Sequence, residues 1–289
     1  MCISNTENER LGARQMRTED RNDNAMVKAL GSNQQSTILC SSGTPRDSNG
    51  NKAITVAVTT APRKDCTLAY CLASIEACGW TPIVFAEPGS TETDYQTITN
   101  PVKLGIWHNW LNACRWCLEN SSSQYIMTVQ DDSLFHPDCK AFVDALVWPK
   151  KAAFVSLYTP KHYSRGKPVG INRIYTKSLW GACALIWDRE ALKKVIETPT
   201  CKSWAGARPK SGSQIVMENR RKNPSTIANS DTAIGKAINS LALAMYFVDP
   251  SPVHHIAKFS TISHGDNTGR RNCGRCSDFT KSLREQVYP

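Results

Sequence analysis

Two short runs constrain this chain more than any other feature: ITVAVTT from Ile54 to Thr60 and YIMTV from Tyr125 to Val129. Both are β-branched or apolar at successive positions, so neither face of either strand can be left to water. A strand buried on both faces belongs inside a parallel sheet covered by helices. The intervening sequence supplies that cover. Leu68, Cys71, Leu72 and Ile75 fall at helical spacing, and Gly79 stands where a left-handed residue would end the helix. Ile83–Ala86 reads as a second strand stopping at Glu87-Pro88-Gly89, and Ile106, Trp110, Ala113, Cys117 and Leu118 mark a second amphipathic helix. Further on, the pattern predicts a short helix around 142–146, strands at 153–158 and 182–187, and a helix over 189–196. A further helix opens at Ser230-Asp231 and carries Ile234, Ile238 and Leu241, before a last strand at 246–248. Alternating strands and helices predict an α/β, Rossmann-like fold, a mainly parallel sheet flanked by helices.

Domain limits follow from composition. Residues 1–52 hold seven basic and six acidic side chains among Asn, Ser, Thr and Gln, with no sustained periodicity, and are expected to form a disordered polar lead. The folded unit is expected over 53–267, followed by a basic tail at 268–289 containing Arg270, Arg271 and Arg275. Of the net charge of +10, only +1 lies in the first 52 residues, so the excess belongs to the remainder. No run approaches eighteen apolar residues, and Met1–Asn24 lacks the apolar stretch of a secretory signal. The expected location is the cytoplasm (a host's, for a viral chain), with peripheral contact at a membrane left open by the basic loops. The 12 cysteines are then expected as free thiols, with Cys114 and Cys117 packing inside a helix and Cys273 and Cys276 at zinc-knuckle spacing without a matching second pair.

Ligands of open α/β sheets bind beyond the carboxyl ends of the strands. Those ends here present Thr59-Thr60-Ala61-Pro62-Arg63, Glu87 and Gln130-Asp131-Asp132. Adjacent carboxylates repel each other, and a divalent cation shared with substrate phosphates relieves that repulsion, Mg²⁺ and Mn²⁺ being suited to it. Two loops are one-sided in charge: Lys161, Arg165, Lys167, Arg173 and Lys177 with no acid between them, and Lys202, Arg208, Lys210, Arg220, Arg221 and Lys222 against Glu218 alone. Such loops either keep a protein soluble or meet phosphates on a nucleotide, a nucleic acid or a lipid headgroup.

In order, these pieces resemble the nucleotide-sugar half of a GT-A glycosyltransferase: a strand into Thr60-Ala61-Pro62-Arg63, a helix, a strand with an acidic end, then Val129-Gln130-Asp131-Asp132. Trp180-Gly181-Ala182 resembles the acceptor-side element of such enzymes, and Asp231 resembles their catalytic acid position. Pro250-Ser251-Pro252 with His254-His255-Ile256-Ala257 resembles a Pro-Ser…Gln-His-Ile-Gly segment of N-acetylglucosaminyltransferase-like members, departing from it at His254 and Ala257. The resemblance implies a Mn²⁺ or Mg²⁺ ion held by Asp132 and His255, with His264 as the alternative to His255. It also implies a nucleotide-sugar donor, a UDP-sugar foremost, lined by Thr60, Arg63, Glu87, Asn109, Asp131, Trp180 and Gly181, and Asp231 as the base of an inverting transfer. In a retaining enzyme Asp231 would instead position the acceptor. Gln130 replaces the first acid of the family's Asp-x-Asp. The acceptors that fit basic loops are a modified DNA base or a lipid-linked glycan at an anionic membrane surface.

Two other classes compete. A nucleotidyltransferase would usually add a glycine-rich loop after the first strand, where this chain has a proline-broken turn. A noncatalytic nucleic-acid-binding protein would use the basic loops but leave the acidic pair, Trp180-Gly181 and Asp231 without a task, and recognised nucleic-acid motifs are missing.

Overall fold

The computed structural model describes residues 52–63, 67–175, 179–204 and 230–256. The polar lead at 1–51, most of the second basic loop, Lys177, His264, Cys273, Cys276 and the basic tail lie outside the described residues.

Ten strands and seven helices follow one another: β1 (Ile54–Thr60), α1 (Leu68–Ala77), β2 (Pro82–Ala86), β3 (Thr97–Thr99), α2 (Ile106–Asn120), β4 (Tyr125–Gln130), β5 (Ser133–Phe135), α3 (Cys139–Ala145), β6 (Ala152–Ser156), α4 (Lys161–Ser164), β7 (Gly170–Ile174), β8 (Ala184–Asp188), α5 (Arg189–Ile196), α6 (Pro199–Ser203), α7 (Ser230–Ser240), β9 (Ala244–Asp249) and β10 (Val253–His255) among the described residues. Eight strands form one sheet in the order β3-β2-β1-β4-β8-β6-β9-β7, and β10 pairs with β5 in a separate ribbon. Within the large sheet β3, β2, β1 and β4 are mutually parallel, and β6 is parallel to β9. β8 runs against both β4 and β6, and β7 runs against β9. The α/β architecture, a mainly parallel sheet flanked by helices, is the one the alternation predicts.

The doubly apolar strands explain the layering. Along β4, Ile126 joins the core beneath α2, α5 and α7, while Tyr125, Met127 and Val129 join the core beneath α1 and α3. Each fully buried large side chain, such as Ile75, Phe85 or Trp187, stabilises the fold by roughly 1.5–3 kcal/mol. Trp187 keeps its one polar atom satisfied, its Nε1–H donating to Thr128 Oγ1 at 3.0 Å. Gly79 has φ +84° directly after α1, the left-handed stop its position predicts. Cys71, Cys78, Cys114, Cys117, Cys139, Cys183 and Cys201 are buried thiols that fill core space.

The sequence pattern missed β3, β5, α4, β7, α6 and β10. All have three to five residues, too few for a period to repeat, and β7 lies inside the basic loop, where Arg173 breaks an apolar reading. The predicted strands at 153–158 and 182–187 occupy 152–156 and 184–188. No helix among the described residues is long and apolar enough to cross a membrane.

Candidate functional site

From β1 the chain passes outward to β2 and β3, and β4 then returns on the other side of β1. The strand order therefore reverses between β1 and β4, the switch point beyond whose carboxyl ends open α/β sheets hold ligands. Register sets Thr59 beside Gln130, so Thr60 and Asp131 emerge together at that point, where the Asp131 N–H donates to Thr59 O at 3.2 Å.

The acidic pair is buried, Asp131 at 2% and Asp132 at 4% exposure. Arg63 spans both carboxylates. Its Nη2 lies 2.5 Å from Asp131 Oδ1, its Nε donates to Asp131 Oδ2 at 3.1 Å, and its Nη1 donates to Asp132 Oδ2 at 2.8 Å. Thr60 Oγ1 donates to Asp131 Oδ2 at 2.6 Å, and His255 Nε2 stands 3.1 Å from Asp132 Oδ2. Asp132 Oδ1 is buried and accepts no hydrogen bond.

Burial raises the Asp131 carboxyl to about 6, although Arg63 pulls it down, with repulsion from Asp132 adding to the rise. Burial also acts to raise Asp132, but there the attraction of His255 and Arg63 wins and its carboxyl is held well below the usual range. The two acids thus differ: Asp132 is held ionised, and Asp131 takes up its proton at a higher pH than an ordinary carboxylate.

His255 reaches Asp132 through the ribbon. In the antiparallel β5–β10 pair His255 stands opposite Ser133, and the Ile256 N–H donates to Asp132 O at 2.9 Å. Ser251 anchors the segment that leads there, its Oγ accepting from Thr159 N and donating to Leu157 O or Val253 O. The Pro-Ser-Pro and His-His pieces of the sequence are therefore one clip around the second acid.

The other predicted site residues separate into three places. Glu87, 2% exposed, accepts the Leu104 and Gly105 N–H groups at 2.8 and 2.7 Å and so caps the entry to α2. Asn109, 3% exposed, donates to Thr60 O and Phe85 O and accepts from Asn100 Nδ2, tying together the carboxyl ends of β1 and β2. Both position the strand ends from beneath. On the far side, the Gly181 N–H donates to Asp231 Oδ2 at 2.8 Å, while Trp180 is 55% exposed beside it. Gly181 has φ +77°, and a Cβ at that position would meet the Tyr158 ring at 2.6 Å.

Tyr158 is the residue that sequence reasoning overlooked. Its ring lies against Gly181 and 6.1 Å from the His255 ring, so it joins the Asp231 side to the Asp132 side. It follows a buried strand and precedes Thr159-Pro160, a strand-end position of the same kind that singled out Thr60 and Asp131. A recess lined by Thr59, Trp110, Gln130, Ala182, Ser230 and Ile234 brings the ends of β1 and β4 to the start of α7.

No family model matches this chain, and no curated protein matches it. Among solved structures, the apo-form glycosyltransferase GlyE of Streptococcus pneumoniae TIGR4 matches over 68% of this chain and 45% of its own, with 10% identity and a TM-score of 0.36. The chain therefore spans less than half the length of that protein.

Proposed function

We propose that this chain transfers a sugar from a nucleoside-diphosphate donor, with Asp132, His255, Asp131 and Arg63 at the diphosphate and Asp231 facing the acceptor. The observation that carries the reading is the buried acid pair at the strand-order reversal, held by one arginine and one histidine. Burying two adjacent carboxylates is costly unless charge of the opposite sign meets them, and natural chains retain such groups chiefly where chemistry uses them.

The residues fit a divalent cation of the Mg²⁺ or Mn²⁺ kind. Asp132 Oδ1 is a buried oxygen without a hydrogen-bond donor, and His255 Nε2 adjoins the other oxygen of the same carboxylate. Among the described residues no group of three His, Cys, Asp or Glu side chains is arranged to hold a metal, so the protein would contribute two ligands, Asp132 and His255. Such ions commonly take one or two protein ligands and complete their shell with phosphate and water. When bound, the ion supplies Lewis-acid stabilisation of a departing diphosphate.

The chain's own residues supply the rest. Arg63, freed from one carboxylate as the site loads, turns a guanidinium toward phosphate oxygens that it can meet in a fork. Thr60 and Asp131 hold polar atoms at the donor side of the switch point. Asp231, fixed by the Gly181 N–H, takes the acceptor proton in an inverting transfer. Trp180 and Gly181 form the wall between donor and acceptor.

The test is nucleotide release from a UDP-sugar in the presence of Mn²⁺. Asp132→Ala is expected to lower the rate by about 10²-fold or more, the usual scale for removing an electrostatic stabiliser, while leaving the protein folded. Turnover unchanged in that variant would overturn the assignment of Asp132.

A further inference from the structure

We infer that the surface formed by α4, β7 and their connection is a docking site for single-stranded nucleic acid, with Lys167 and Arg173 on phosphates and Tyr175 under a base. β7 is the edge strand of the large sheet. Its alternation buries Asn172 and Ile174 and exposes Arg173, and Tyr175, two residues beyond Arg173, is 76% exposed. Lys167 Nζ lies 5.3 Å from the centre of the Tyr175 ring, and Arg173 Cζ lies 5.6 Å from it. Lys161 and Arg165 are exposed on the same segment, which contains no acid from 161 to 175. Among the described residues no carboxylate pairs with any of these four cations, whereas Lys140, Lys202 and Arg63 all have one.

An exposed ring flanked by cations that have no carboxylate partner among the described residues matches the repeating unit of a single strand, a flat π face between phosphates. A membrane surface matches less well, because anionic headgroups would engage the cations but leave the exposed ring without a flat partner, and insertion would need an apolar face. Val169 is the one large aliphatic side chain that this segment exposes, and α4 has only four residues. A neutral glycan would use the ring but not the charge.

The surface leads to the site. The Trp180 N–H donates to Tyr163 Oη at 2.9 Å, and the His162 ring packs on Tyr163 at 4.6 Å and on Trp180 at 5.8 Å. The residue after Trp180 is Gly181, bonded to Asp231. A strand running from Tyr175 back along α4 would meet His162 and Trp180 beside the Gly181–Asp231 contact, which would make the nucleic acid the acceptor. That last step rests on the transfer proposed above; the binding does not.

The experiment is fluorescence anisotropy of the full chain with labelled oligothymidylate across a salt series. The wild type is expected to bind with an affinity that falls as salt rises. Lys167→Gln with Arg173→Gln is expected to weaken binding at least about ten-fold and to reduce the slope of log affinity against log salt by about 1.4, two phosphate contacts on a single strand. Tyr175→Ala is expected to weaken binding about ten-fold with the slope unchanged, the signature of a lost stack. Variants that bind like the wild type would overturn the proposal, as would a preference for duplex of the same length or for phosphatidylserine vesicles over oligothymidylate. Asp132→Ala separates the two readings, since it removes sugar-nucleotide turnover without altering anisotropy. Turnover surviving in that variant counts against the transfer alone.

Discussion

Asp131 and Asp132 are neighbours in sequence with opposite titration behaviour, and the difference is a matter of which partners reach each carboxylate. Asp132 has both Arg63 and His255, whereas Asp131 has Arg63 and the Thr60 hydroxyl. Burial lifts Asp131 from its ordinary 3.8 to about 6, so between those values the folded chain binds more protons than the unfolded one. Stability then decreases as pH rises through that window and levels off above it. Relative to Asp131→Asn, the wild type is therefore expected to lose melting temperature between about pH 4 and pH 6, a trend read directly from paired thermal melts. Asp132 contributes with the opposite sign: its stabilisation is present above the unfolded value and is lost as pH falls below it. At this scale the sequence was informative. An apolar strand delivered the acid pair to a sheet end, and Arg63 followed another such strand. The pairing of both acids with one guanidinium was not legible, because it depends on register between β1 and β4.

Elements decide where those residues stand. α2 begins at Ile106 with the Leu104 and Gly105 N–H groups directed at Glu87, a side chain from the end of β2. Glu87→Ala leaves those donors without their buried acceptor and is expected to cost about 1–3 kcal/mol, measurable by denaturant melts. Gly181 is fixed from the other side. Its positive φ, and the Tyr158 ring only 2.6 Å from where a Cβ would stand, leave no room for a side chain. Gly181→Ala is expected to destabilise by about 1–3 kcal/mol, seen as a lowered melting temperature, and to slow sugar-nucleotide turnover by displacing Asp231. The amphipathic helices were legible because four or five apolar positions repeat at one spacing. The structural tasks of Glu87 and Asn109 were not, since a strand-end acid and a helix asparagine look alike in sequence whether they cap, tie or bind.

For the molecule as a whole, two apolar layers enclose one sheet and leave a polar rim at its carboxyl edge, so anything that binds at the rim stabilises the fold by mass action. Mn²⁺ at a hundred times its dissociation constant is expected to add about 2.7 kcal/mol to the wild type and nothing to Asp132→Ala, a comparison that thermal shift makes without any sugar donor. The net charge of +10 is a property of this scale as well. The described residues hold 16 Lys and Arg against 14 Asp and Glu, so most of that charge lies outside them.

The clip between β5 and β10 has a consequence for the order in which this protein assembles. His255 follows Asp132 by 123 positions, whereas Arg63 precedes it by 69. A chain emerging from the ribosome has Arg63 available as soon as β4 is made, and it has no His255 until every other described strand has been synthesised. The acid pair therefore has its full set of charged partners only once residue 255 has been made.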